Sequence, residues 1–133
     1  MNGKVKKEVE KIIKEENLNC SVEEFKDKVN WLYISANQIL SLDFIREFKD
    51  KVSWNRISYY QKLSEDFIRE FKDKVNWNYI SWKQELSEDF IYDFQDKLDI
   101  DCLIENNKIT KNRLLELKKI NSIHSRFEIL DIR

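Results

Sequence analysis

Few residues in this chain have types and spacing suited to chemistry. His124 is the single histidine, so a Ser/His/Asp or Cys/His relay has only that base to draw on. Gly3 is the single glycine and there is no proline. A GxGxxG turn or a P-loop, which needs several glycines to bring backbone amides against a phosphate, is therefore excluded. Cys20 and Cys102 with one histidine fall short of a four-ligand zinc site and of a disulfide scaffold. A Cys20–Cys102 bridge is the one disulfide available, and a reducing compartment opposes it. The carboxylate pairs Glu65–Asp66 and Glu88–Asp89 have the composition of an acid–base site. They recur at the starts of helices, where the helix dipole favours negative charge, and that role explains them better. The expectation is a protein with no catalytic residues, no metal, no cofactor and no small-molecule substrate: not an enzyme.

Charge placement says more than net charge. The 133 residues carry 24 basic and 25 acidic side chains, a net of −1. Residues 17–107 sum to −6, whereas residues 108–133 sum to +4. An acidic body does not suit phosphate-backbone binding, which needs many Lys and Arg contacts. The basic group at Lys111, Arg113, Lys118 and Lys119 is read first as a solvated face, and second as a contact to nucleic acid or to an acidic partner. No stretch approaches the roughly 18 apolar residues of a membrane span. The first 19 residues alternate charged and apolar types, unlike a signal peptide. The expectation is an intracellular protein, in the cytoplasm of a host cell, with no membrane partner.

The elements that must carry any site come from a repeat. Shifted by 23 residues, the chain overlays itself. Phe25, Phe48, Phe71 and Phe94 share one phase; Trp31, Trp54 and Trp77 share another, with Ile100 in the fourth place. The fullest copy covers residues 64–86 and reads SEDFIREFKDKVNWNYISWKQEL. Each unit reads as two short helices. Ser41, Ser64, Ser87 and Thr110 are the N-caps of the first, and Asn30, Ser53, Asn76 and Asp99 those of the second. Phe67, Ile68, Phe71 and Val75 form the apolar stripe of the first helix; Trp77, Ile80, Ser81 and Gln84 form one face of the second. The Phe and Trp series is expected to be core. Ser35, Ser58 and Ser81 are expected to bond back to the preceding turn, and Gln38, Gln61 and Gln84 to satisfy backbone groups between units.

The flanks depart from the pattern, as the ends of a repeat must. Val5, Val9, Ile12 and Ile13 predict an N-terminal helix over residues 4–16. Residues 110–120 predict a fifth first-type helix with Leu114, Leu115 and Leu117 in place of aromatics. Residues 122–133 fit either a closing helix or, from Ile129, Leu130 and Ile132, a strand. The expected fold is all-α: one domain, a short α-solenoid of about four to five helix–turn–helix repeats with atypical terminal helices. Residues 1–20 cap its N-terminus, residues 21–109 hold the repeats and residues 110–133 cap its C-terminus. Helix is expected to exceed about two-thirds of the chain, against an average near one-third.

The string WxxISxxQxLSxDFIxEF is carried by Trp54, Ile57, Ser58, Gln61, Leu63, Ser64, Asp66, Phe67, Ile68, Glu70 and Phe71. It resembles tandem repeats of uncharacterised proteins of large DNA viruses, phages and some bacteria. The resemblance covers about residues 21–107. It implies an α-helical repeat and no particular activity.

The residues that differ between units mark the expected site. On the second helix they read Tyr33, Ala36, Asn37, then Arg56, Tyr59, Tyr60, then Tyr79, Trp82, Lys83. A face kept for solubility would hold Lys and Glu; Tyr, Trp and Arg are the types that dominate binding hot spots, and the other reading of the same aromatics is that they fill gaps between neighbouring units. The expectation is a non-enzymatic protein-interaction module, a viral or phage protein that binds and inhibits a host defence component. Its partner surface is Arg56, Tyr59, Tyr60, Tyr79, Trp82 and Lys83. The rival classes are a nucleic-acid-associated protein using the basic C-terminal part, and a structural self-assembling array.

Overall fold

The structure, a computed structural model, describes the backbone of residues 1–131 and the side chains of residues 1–123. It is all-α, with ten helices and no strand among the described residues. Helix α1 spans Gly3–Glu15. The single turn α2 (Phe25–Lys28), in register with the later turns 48–51 and 71–74, comes next; first-type helices α4 (Leu42–Glu47), α6 (Glu65–Glu70) and α8 (Glu88–Asp93) then alternate with second-type helices. The latter are α3 (Trp31–Asn37), α5 (Trp54–Tyr60), α7 (Trp77–Lys83) and α9 (Ile100–Glu105), and α10 covers Lys111–Asp131.

Side-chain caps set nearly every boundary. The hydroxyls of Ser41, Ser64 and Ser87 accept from the amides of Phe44, Phe67 and Phe90 at 3.1, 3.1 and 3.2 Å. Thr110 accepts from Arg113. Asn30, Ser53, Asn76 and Asp99 cap the second-type helices in the same way. A full unit holds helices of six and seven residues, just over half of its 23 and below the two-thirds expected. The shortfall is the turn from Phe71 to Asn76 and the shorter connection from Gln84 to Ser87, each ending on the next cap.

Helices this short are marginal alone. They are held by one continuous core in which Phe25, Phe44, Phe67 and Phe90 are fully buried, with Ile57, Ile68, Ile80 and Ile91 beside them. The tryptophans differ from expectation. Trp31, Trp54 and Trp77 are half-buried at the edge of that core. Each indole Nε1 donates to the carbonyl five residues before it, Lys26, Lys49 or Lys72, at 2.9–3.0 Å. An indole N–H needs a partner and these carbonyls are exposed, Lys26 in α2 and Lys49 and Lys72 in turns, so the ring closes the core at its margin.

Second-type helices pack in succession: α3 on α5, α5 on α7, α7 on α9. Two polar groups per unit tie each seam. Gln61 donates from Nε2 to the carbonyls of Ser35 (2.9 Å) and Gln38 (2.7 Å), and its Oε1 accepts from the Leu40 amide (3.0 Å). Gln84 repeats this on Ser58, Gln61 and Leu63. The Ser58 hydroxyl donates to the Trp54 carbonyl, as the sequence predicts, and also accepts from the Asn76 amide of the next unit. Ser81 does the same for Trp77 and Asp99.

Both ends depart from the pattern for visible reasons. In the first unit the stretch before Phe25 is not a regular first-type helix, and α1 packs on α4 instead. Glu8 bonds the amide and hydroxyl of Ser41, as Glu65 bonds those of Ser87. At the other end α10 packs on α8 and is one unbroken helix through Asp131. Of the two expectations for residues 122–133 the structure has the helix, continuous with 111–121, and not the strand, over residues 122–131; residues 132–133 lie outside the described backbone. A new second-type helix would start at Ser122, whose amide would seek a hydroxyl at position 104. Ile104 stands there instead of serine, so nothing diverts the chain from the helix.

Two turns elsewhere prefer glycine, and asparagine fills both. Asn17 (φ 51°) and Asn107 (φ 58°) occupy the left-handed region just past α1 and α9. The amides of Leu18 and Lys108 then reach back to the carbonyls of Ile13 and Leu103.

Candidate functional site

The capped starts of α5 and α7 orient one exposed face of each helix the same way. Ser53 fixes the first turn of α5 and Asn76 that of α7, while Ile57, Ser58, Ile80 and Ser81 are buried in the seam. With those positions inward, 56, 59, 60, 79, 82 and 83 fall toward solvent. All six side chains singled out in the sequence meet there.

Tyr59 is the centre. Its ring lies 4.6 Å from Tyr60, 5.2 Å from Tyr79 and 5.5 Å from Trp82, each edge-on. The Lys83 ammonium sits 4.5 Å from the Tyr59 centroid and 5.1 Å from that of Trp82. Tyr60 and Trp82 remain 57% and 49% exposed, too open to be core. The cluster borders a groove of about 630 Å³ crossing three helices: Leu32 of α3, Arg56, Tyr59 and Tyr60 of α5, and Tyr79 and Trp82 of α7. No carboxylate lines it.

The basic C-terminal group is less available. Arg113 donates to Glu88 at 2.7 Å and to Glu116 at 2.9 Å. Those two hydrogen bonds, Glu88 first, raise its guanidinium above the ordinary range. Lys111, Lys118 and Lys119 are exposed along α10, the first two sharing a face seven residues apart. The side chains of His124, Arg126 and Arg133 lie outside the described residues.

Sequence reasoning missed Lys108. It follows Asn107, which stands where the ladder glutamine would be, and its ammonium takes over the glutamine's donor role. Nζ donates to the carbonyls of Ser81 (2.8 Å), Trp82 (2.7 Å) and Gln84 (3.0 Å). Burial lowers its pKa below the ordinary lysine value. The signal was the loss of glutamine at the repeat position, with a donor one residue on.

Cys20 and Cys102 are free thiols. Among the described residues no three His, Cys, Asp or Glu side chains stand together as metal ligands, and no helix is long and apolar enough to cross a membrane. No protein-family model, no curated protein and no solved structure matches the chain.

Proposed function

We propose that the chain is a non-enzymatic protein-interaction module. In this reading it is a short α-solenoid of about four to five helix–turn–helix repeats, closed by α1 and α10, that offers the exposed face of α5 and α7 to a protein partner. The stacking of α3, α5, α7 and α9 and the seam bonds repeated every 23 residues support the architecture. A stacked repeat exposes a long continuous surface, which suits recognition.

The observation that carries the binding role is the cluster around Tyr59. Four aromatic rings, a lysine and an arginine gather there; Tyr59 also packs α5 on α7, whereas Tyr60 and Trp82 stay about half exposed. The resemblance to viral and phage repeats directs the search for the partner to a host protein, a defence component first.

The test is affinity capture from host cells with three baits: the parent, Trp82→Ala, and Lys118→Glu/Lys119→Glu. A protein held by the parent and the α10 variant but lost by Trp82→Ala supports the reading. Loss on α10 alone, or nucleic acid as the only captured species, contradicts it.

A further inference from the structure

The arginines of the described residues divide into two kinds. Arg46 is paired with Asp43 and Glu70 at 3.0 Å each, Arg69 with Asp66 at 3.3 Å and Asp93 at 3.8 Å, and Arg113 with Glu88 and Glu116. Arg46 and Arg69 also lie over the Phe67 and Phe90 rings of the following unit. These three are fastened to the fold. Arg56 is exposed, has no acidic partner among the described residues, and stands in the groove lined by Tyr59, Tyr60, Tyr79 and Trp82; a second groove on the far side of Tyr59 and Tyr60 holds Lys83 with Glu65 and Glu85. Lys83 likewise forms no ion pair among the described residues and rests on aromatic rings.

We propose that this groove takes an extended acidic peptide segment of a partner protein, with a carboxylate on Arg56 and an apolar or aromatic side chain against Tyr79 and Trp82. The proposal rests on the interaction reading above and adds the chemistry of the occupant. A carboxylate entering the groove meets a guanidinium able to bind it through two parallel N–H donors, and no acid in the lining opposes it. The dimensions favour an extended chain. The groove crosses three helices, and neighbouring helices pack about 8–10 Å apart. Two such steps at about 3.3 Å per residue take about six residues. Tyr and Asn side chains at the lining, Asn55 among them, suit the hydrogen-bonding needs of a peptide backbone.

The same residue types can bind single-stranded nucleic acid, but the geometry is unfavourable for it. That mode needs a cationic track along the backbone and open ring faces for the bases. Here one arginine lines the groove, and the central Tyr59 ring is boxed by three edge contacts and an ammonium.

The experiment selects binders to the full chain from a displayed library of random peptides about twelve residues long, with oligothymidylate as the nucleic-acid arm. The selected peptides are expected to pair an Asp or Glu with a nearby apolar or aromatic residue. Replacing that acid by its amide should weaken binding about tenfold to a hundredfold. Arg56→Gln in the protein should weaken it equally and erase the difference between the acid and amide peptides. Arg56→Gln keeps the backbone amide that Ser53 caps, so its melting temperature should match the parent's. Neutral or basic binders, acidic binders that ignore Arg56→Gln, no binders, or oligothymidylate binding lost with Arg56→Gln would each overturn the proposal. Neutral binders lost with Trp82→Ala would remove the acidic occupant and keep the interaction face. Binders that ignore both substitutions would remove the face as well.

Discussion

Within α5, Ile57 and Ser58 are fully buried and Gln61 holds two carbonyls and an amide of the preceding unit, whereas Arg56, Tyr59 and Tyr60 beside them engage no backbone of another unit through their side chains. The two sides also differ in sequence. Inward positions repeat letter for letter: Ile34, Ser35, Gln38; Ile57, Ser58, Gln61; Ile80, Ser81, Gln84. Outward positions vary: Tyr33, Ala36, Asn37; Arg56, Tyr59, Tyr60; Tyr79, Trp82, Lys83. The cause is desolvation. A buried amide or hydroxyl is tolerated only with its partners in place, so a seam that works admits one solution and is copied. A solvated ring or cation carries no such penalty, and its identity is open to be set by something outside the chain.

That contrast can be broken from the buried side first. Gln61→Leu strands the carbonyls of Ser35 and Gln38 and the amide of Leu40, and should cost about 2–4 kcal/mol in chemical denaturation. A loss below about 1 kcal/mol would mean that the seam is not what joins the units. Trp54→Ala should cost less, about 2–3 kcal/mol, because the indole sits at the core's margin and one face of its contacts is water. A loss as large as that of Phe67→Ala would return the tryptophans to the interior. The smallest effect lies at the exposed entry to α2, where Glu24 and Ser21 bond each other's amides. The Ser21 backbone amide first, then its hydroxyl, holds the Glu24 carboxyl below its ordinary 4.5. A carboxyl lowered by folding adds stability above its unfolded pKa and loses it as pH falls through the folded one. Acid titrations of the parent and Glu24→Gln should therefore converge below pH 4.5 and separate slightly above it. Parallel curves would show that the capping box has no stabilising role.

The features legible in the sequence were those repeated at one spacing. All eight caps follow from a 23-residue period, because local hydrogen bonds need only the right residue three places before an amide, and so does the inter-unit role of Gln61 and Gln84; Gln38, with no earlier unit to bond, donates instead to the Glu16 carboxylate. The gathering of Arg56, Tyr59, Tyr60, Tyr79, Trp82 and Lys83 followed from the same period plus helical geometry. What stayed hidden breaks the period. Glu8 reaches Ser41 across 33 residues, α1 stands in for a helix the first unit lacks, and Lys108 replaces a glutamine from one position too late. The hydroxyl that a further second-type helix at Ser122 would bond falls at Ile104, a residue in a different helix.

The central claim is that stability resides on one side of α5 and α7 and recognition on the other. The most direct measurement is Tyr60→Ala/Trp82→Ala, assayed for melting and for capture of the partner held by the parent. Both side chains are about half exposed, so stability should fall by no more than about 1 kcal/mol while capture is lost. A variant that melts far below the parent, or that captures the partner undiminished, would contradict the division.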